Sequence, residues 1–216
     1  RRDPGDDHQT PRSGIGQLGD SVSADTEQPG LDPGDEPVAT SARRQLRGKA
    51  LNQFLKQMEA PAGLDMIFVL QDMQDPVNVG SAFRIADACG VRQMLLTGIT
   101  TCPPHPLIKK VGRGRDRKIQ WEYVEDAALG LQELGAQGYH RVAVELASDA
   151  APYDHVEYPA KLALVVGHED HGVTNRTLAA CDRAVYIPML GKGASLNVHV
   201  SLGVVAYHVL SHFTRR

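Results

Sequence analysis

The sequence has little cysteine, and what it has is not arranged for metal binding or a disulfide framework. Cys89, Cys102 and Cys181 form no CxxC pair. A sparse, odd count fits buried thiols in a reducing cytosol, so a cytoplasmic protein is expected. No apolar stretch reaches membrane-spanning length, which argues against a helical membrane protein. HExxH and PCxxC are both missing, so zinc peptidase and zinc deaminase chemistry lack support. His168 and His171 flank Glu169, but two histidines three apart in a polar turn are not a metal helix, and no metal is expected. VGRGRDR is not a GxGxxG following a strand, and GxxxxGK[ST] does not occur, so dinucleotide and P-loop sites are unsupported. Without GxSxG there is no case for a hydrolase nucleophile elbow. No internal repeat is visible.

What is present divides unevenly along the 216 residues. Residues 1–42 carry nine acidic and three basic residues, a net charge of −6, and are dominated by Pro, Gly, Ser and Asp. Such a composition cannot bury enough apolar surface to offset chain entropy, and it predicts a disordered acidic tail. It has no apolar h-region for secretion and is too acidic for a transit peptide. The remaining residues carry 20 basic and 17 acidic residues, a net charge of +3. Their positive charge is clustered. Arg43, Arg44, Arg47, Lys49 and Lys56 form one group. Lys109, Lys110, Arg113, Arg115, Arg117 and Lys118 form another, against Asp116 alone. Basic clusters are often only solvated surface, but two on one small domain fit a phosphate-rich partner.

Periodicity predicts a basic N-terminal helix over Ser41–Glu59, within residues 43–60, and then one domain over residues 61–216. From Asp65 onward short apolar runs alternate with helical patterns. Strands are predicted at Met66–Leu70, Arg92–Leu96, Ile119–Val124, Arg141–Leu146, Leu162–Val166 and Ala184–Met189. Helices are predicted at Asn78–Cys89, Asp126–Leu134, Thr174–Cys181 and Asn197–Phe213. Six strands alternating with helices imply an α/β fold with a mainly parallel sheet flanked by helices. The basic stretch from His105 to Lys118 is placed in a loop after the second strand.

Three segments follow predicted strands, where ligands of open α/β sheets bind. The first, DPVNVGSAFR, places Asn78 and Arg84 early on one helix, and Arg84 is suited to gripping phosphate. In the second, LALVVGHEDHGV, an apolar strand ends at Gly167, Glu169 sits at the tip and Gly172 turns the chain. The third, IPMLGKGASLNVHVS, runs from a strand through a Gly-rich loop into an apolar helix. Ser195 and Asn197 stand at its loop-to-helix junction. That junction reads either as an ordinary N-cap or as a place where N–H groups meet a ligand.

Taken in order and with their separations, NVGSAFR, VVGHEDHGV and IPMLGKGASLNVHVS resemble the three signature motifs of the SpoU–TrmH branch of SPOUT methyltransferases. The resemblance covers about Asp65 to Phe213. It implies methyl transfer from S-adenosyl-L-methionine to a ribose 2′-hydroxyl of RNA, with tRNA expected ahead of rRNA. It also implies a C-terminal trefoil knot and a homodimer. Matched position by position, it implies that Asn78, Arg84, Glu169, Ser195 and Asn197 are catalytic. Gly167, Ile187, Met189, Ser195 and Leu196 fall where the family contacts the cofactor. RNA contacts are expected from Arg84, Lys109, Lys110, Arg113 and Arg115. His168 departs from the asparagine of the GNE sequence common in the family. Neither a long C-terminal RNA-binding extension nor a separate N-terminal RNA-binding domain, as in some relatives, is expected. A catalytically silent RNA-binding module on the same fold is the alternative, opposed by intact Asn78, Arg84, Glu169 and Asn197. A small-molecule nucleotide-binding protein would leave the basic clusters unexplained.

Overall fold

The run MIFVL lies inside the sheet, with a strand paired on each side. In the computed structural model, which describes residues 43–193 and 195–214, it belongs to β1 (Asp65–Gln71). The other strands are β2 (Gln93–Thr97), β3 (Gln120–Val124), β4 (His140–Val144), β5 (Ala151–Pro152), β6 (Lys161–Val166) and β7 (Arg183–Tyr186). They build one seven-stranded sheet in the order β3-β2-β1-β6-β4-β7-β5, with every pairing parallel. Six helices accompany it: α1 (Gly48–Lys56), α2 (Pro76–Cys89), α3 (Pro106–Gly112), α4 (Ala127–Ala136), α5 (Asn175–Ala179) and α6 (Val198–Thr214).

Because side chains alternate across a strand, β1 feeds two cores. Met66, Phe68 and Leu70 pack with Phe83, Ile108 and Leu202 of α2, α3 and α6. Ile67 and Val69 point the other way, to Leu131 and Leu134 of α4. A fully buried side chain such as Phe68 or Leu164 contributes about 1.5–3 kcal/mol relative to exposure. Continuous apolar strands are what a parallel sheet covered on both faces requires.

The predicted α/β architecture is borne out, with differences at the edges. Residues 1–42, including the expected acidic tail and the first two residues of the expected basic helix, lie outside the described residues. The basic N-terminal helix is shorter than expected. It starts at Gly48, and its N-cap, Arg47, makes no side-chain capping bond. The strand expected to reach Met189 stops at Tyr186, so Ile187 and Met189 belong to the loop after β7. The two-residue edge strand β5 is too short to leave a periodic signal.

The largest correction concerns the basic stretch. Lys109 and Lys110 lie in helix α3, not in a loop, and Arg115 begins a 3-10 turn, Arg115–Arg117. Pro106 opens α3, the His105 side chain caps it, and Ile108 and Gly112 are buried. The helix rests on α2 by a glycine contact. A Cβ on Gly80 would come within 3.0 Å of the Ile108 carbonyl oxygen and of Val111 Cβ. One on Gly112 would come within 3.2 Å of the Gly80 carbonyl oxygen. The glycine of NVGSAFR therefore lets a basic helix lie directly against the helix that carries Arg84.

Candidate active site

The site grows from the end of β6. The strand runs into Gly167, and residues 168–172 fold back as a tight turn. His168 and Gly172 close it with two backbone hydrogen bonds, each 3.0 Å. The turn delivers Glu169 to the start of α2. There its carboxylate accepts from Gln74 N–H (3.2 Å), Asp75 N–H (3.0 Å) and Asn78 Nδ2 (2.9 Å). Asp75 caps α2 by accepting from Val77 N–H at 2.8 Å. Asn78 is buried, and its Oδ1 meets His199 Nδ1 at 2.9 Å. One chain of polar contacts thus ties the β6 turn, the first turn of α2 and the first turn of α6.

Burial works to raise the pKa of Glu169. The hydrogen bonds from Asn78 and from the backbone N–H groups of Glu169, Asp75 and Gln74 outweigh it and hold the carboxyl below its ordinary value. A carboxyl with a depressed folded pKa stabilises the fold fully above its unfolded pKa, and that contribution is lost as pH falls through the folded value. Thermal unfolding from pH 7 to pH 3 checks this. Wild type is expected to melt above Glu169→Gln at neutral pH, and the gap is expected to close below the ordinary carboxyl value of 4.5. A gap that does not change with pH would contradict it.

Beside the turn lies a cleft of about 590 Å³. Gly167, Ile187, Met189, Ser195 and Leu196, all expected from the sequence to meet the cofactor, line it, and so does Glu169. The cleft opens at the carboxyl ends of β4, β6 and β7, where the alternating topology places ligand sites. Among the described residues, no backbone N–H from Ile187 to Leu196 is paired with another backbone group. Apolar Val144, Ile187 and Leu196 line the same space.

The structure divides the other expected residues. Asn197 acts as a helix cap, its Oδ1 accepting from His199 N–H at 3.0 Å, and it does not line the cleft. Arg84 is exposed, lies further along α2 than its first turns and stands outside the cleft of its own chain. Lys109, Lys110 and Arg113 are exposed on and just after α3. Arg115 is engaged elsewhere, since its Nε donates to Asp87 Oδ2 of α2 at 2.6 Å. It fastens the basic turn to α2 and is not a free hand for phosphate.

Sequence reasoning missed Glu145, Asp75 and His199. Glu145 lines the cleft and accepts from Leu146 N–H (2.9 Å) and Val173 N–H (2.8 Å), bracing the far side of the turn. Its signal was available: an acidic residue directly after the apolar strand β4. Asp75 stood in the first motif as an evident N-cap before proline. His199 had no signal, because only the packing of α6 on α2 brings it to Asn78. Among the described residues, no group of three or more His, Cys, Asp or Glu side chains is placed to hold a metal ion. No helix among them is long and apolar enough to cross a membrane.

Fold and cleft together define a parallel α/β protein with a cleft at the carboxyl ends of β4, β6 and β7. The chain belongs to the SpoU rRNA methylase family, whose pattern matches residues 65–207. It is similar to the 23S rRNA (guanosine-2′-O-)-methyltransferase RlmB of Nitrosomonas europaea, with 32% identity over 180 residues, 83% of this chain and 67% of that one. A Staphylococcus aureus protein named for the TrmH family of tRNA/rRNA methyltransferases is 31% identical over 158 residues. The match covers 73% of this chain and 63% of the length of that relative. Among solved structures, the TrmH/SpoU tRNA modifying enzyme of A. aeolicus superposes with a TM-score of 0.66 at 25% identity. That match covers 76% of this chain and 85% of the other. The family resemblance carried by the three motifs is borne out. The trefoil knot is implied by membership, as it was by the motifs.

Proposed function

We propose that the protein is an S-adenosylmethionine-dependent RNA ribose 2′-O-methyltransferase acting as a homodimer, with tRNA its substrate ahead of rRNA. The observation that carries this reading is the convergence of Gly167, Glu169, Ile187, Met189, Ser195 and Leu196 on one cleft. The relatives are named for both RNAs, so the choice between them falls to the mapping experiment below.

The cleft fits the cofactor. Its volume suits a nucleoside with an amino-acid tail, and its unpaired backbone groups offer donors and acceptors to adenine and to the tail. Ile187, Met189 and Leu196 would cover the base, and Ser195 would face the polar portion. When bound, the cofactor supplies an electrophilic methyl group. Glu169 fixes the turn against α2 and sets one wall of the cleft. Arg84 and the α3 cations would position the RNA phosphates, orienting the ribose for in-line attack. Val77 of α2 and Val200 and Tyr207 of α6 are exposed apolar side chains, the surface that a second copy would cover.

Calorimetric titration with S-adenosylhomocysteine tests the cleft. Saturable heat with one site per chain is the expected result. No heat and no thermal shift at millimolar ligand would refute the reading. Mapping 2′-O-methyl positions in RNA from cells with and without the protein identifies the substrate.

RNA affinity is expected to fall steeply with salt, because each neutralised phosphate releases counterions. Replacing Lys110 and Arg113 with Ala is expected to weaken RNA binding and flatten the salt slope by about 1 for each phosphate no longer gripped. Arg115→Ala is expected to lower thermal stability by removing the Asp87 pair, with a smaller change in salt slope. Filter binding across a range of salt concentrations separates these outcomes. An unchanged slope in the double variant would make the α3 face ordinary solvated surface.

A further inference from the structure

Strand β4 ends at Val144, and the residue after it, Glu145, lines the cleft. The Glu145 backbone N–H donates to the Val185 carbonyl at 2.9 Å, which carries the β4–β7 pairing one residue past the strand. Its carboxylate meets the β6 turn. Oε1 accepts from Leu146 N–H at 2.9 Å, and Oε2 from Val173 N–H at 2.8 Å. Gly172, with a φ of 64°, makes room for this group, since a Cβ there would overlap Oε2. Backbone and carboxylate are both held in place by the protein itself, so little rotamer freedom is left to lose when a ligand binds.

An ionised carboxylate only accepts, and its two oxygens offer about four sites. Glu145 uses one site on each oxygen, and both of its donors are neutral N–H groups. Among the described residues no ion pair engages it, and no lysine or arginine lines the cleft. Glu169 is more fully occupied. Its Oε1 takes both Asp75 N–H and Asn78 Nδ2, and its Oε2 takes Gln74 N–H. Asp170, the third carboxylate on the lining, is exposed, whereas Glu145 is half-buried. Glu145 therefore keeps an open acceptor site on each of two oxygens, in the wall of a cleft and without a counter-charge. Two adjacent neutral donors complete such a group, and the part of a nucleoside that carries two adjacent donors is the ribose diol.

We propose that Glu145 is the ribose-binding residue of the cleft, accepting from the 2′- and 3′-hydroxyls of the S-adenosylmethionine ribose. The inference rests on the reading of the cleft as the cofactor site. An acidic side chain holds a nucleotide ribose by its hydroxyl in other parallel α/β sheets, for the same reason of a fixed acceptor beside the ligand crevice. Such a site selects its ligand. A nucleoside that lacks a hydroxyl strips water from the carboxylate and gives it no partner in return. Glu145 makes the cleft discriminate ribonucleosides from their deoxy forms. It also links the ligand to the turn, because the carboxylate that takes the ribose is the one that holds Val173 N–H.

Calorimetric titration of the full chain with S-adenosylhomocysteine and with its 2′-deoxy and 3′-deoxy forms tests this without turnover. Wild type is expected to bind each deoxy form roughly tenfold to a hundredfold more weakly, the loss that accompanies a missing hydrogen bond to a charged group. Glu145→Gln removes the charge and one acceptor oxygen. It is expected to bind S-adenosylhomocysteine more weakly, and its penalty for deleting at least one of the two hydroxyls is expected to shrink to threefold or less. A merely structural role for Glu145 would weaken all three ligands alike and leave both penalties as they are. Two further ligands probe the other donors of the cofactor. S-inosylhomocysteine lacks the adenine amino group, and 5′-methylthioadenosine lacks the amino-acid tail. Each is expected to lose the same factor in wild type and in Glu145→Gln. Wild-type affinity for both deoxy forms within threefold of S-adenosylhomocysteine would overturn the proposal, even if Glu145→Gln does not fold. Unchanged penalties for both hydroxyls in a folded variant would overturn it too, as would a variant-dependent loss with either of the other two ligands. If wild type binds no S-adenosylhomocysteine at all, the cofactor reading of the cleft fails and this proposal falls with it.

Discussion

Gly167→Ala is expected to abolish cofactor binding and to lower the melting temperature by roughly 6–12 °C, from a clash of about 3 kcal/mol at about 2–4 °C for each. A Cβ at this position would lie 2.1 Å from the carbonyl carbon and oxygen of Gly172 and 2.4 Å from Val173 N. All three are backbone atoms, so no rotamer change relieves the clash. Overpacking against side chains costs about 1–3 kcal/mol, and a rigid backbone neighbour puts this case at or above the upper end. The turn can make room only by opening the His168–Gly172 bridge, and that displaces Glu169 from Gln74, Asp75 and Asn78. Gly193→Ala is the control. Gly193 lines the same cleft but has nothing within 4 Å of its would-be Cβ, so the melting temperature is expected to hold. Wild-type affinity of Gly167→Ala for S-adenosylhomocysteine would show that the turn does not shape the cleft.

The same turn shows what sequence can and cannot convey. That a glycine ends the apolar strand LALVV was legible, and so was Glu169 beyond it, because strand, break and acidic tip are local features. The partner of Glu169 was not legible from spacing. Asn78 lies 91 residues away and meets it only because β1 and β6 are neighbours in the sheet. The family resemblance named both residues without showing that they touch. His199 is a sharper case. Its role depends on a side-chain bond across the α2–α6 packing, and nothing in NVHVS announces it. The basic stretch misled for a different reason. From the sequence it reads as a loop after the second strand, but Pro106 with His105 starts a helix, and Ile108 anchors it in the core. Local composition yielded to tertiary burial, as it does for short helices whose stability comes from packing.

Arg84→Ala is expected to reduce methyl transfer by at least about a hundredfold while leaving fold and S-adenosylhomocysteine affinity close to wild type. The guanidinium is exposed, and among the described residues no hydrogen bond or ion pair engages it, so its removal leaves no buried group without a partner. Arg84 does not line the cleft of its own chain. The cleft is lined from β4, the β6 turn, the loop after β7 and the start of α6, and α2 contributes nothing to it. If a second copy covers the exposed Val77 of the same helix and Val200 and Tyr207 of α6, Arg84 is expected to face the partner's cleft. Complementation distinguishes action in trans from action in cis. Arg84→Ala chains and Gly193→Trp chains, whose cleft is filled, are each expected to be inactive alone. Mixed and allowed to exchange, they form dimers in which one intact cleft faces one intact Arg84. Recovery of activity on mixing, with light scattering showing a dimer at micromolar concentration, is the expected result. A monomer in light scattering, or mixed chains that stay inactive after exchange is verified, would place Arg84 in its own subunit or outside the reaction.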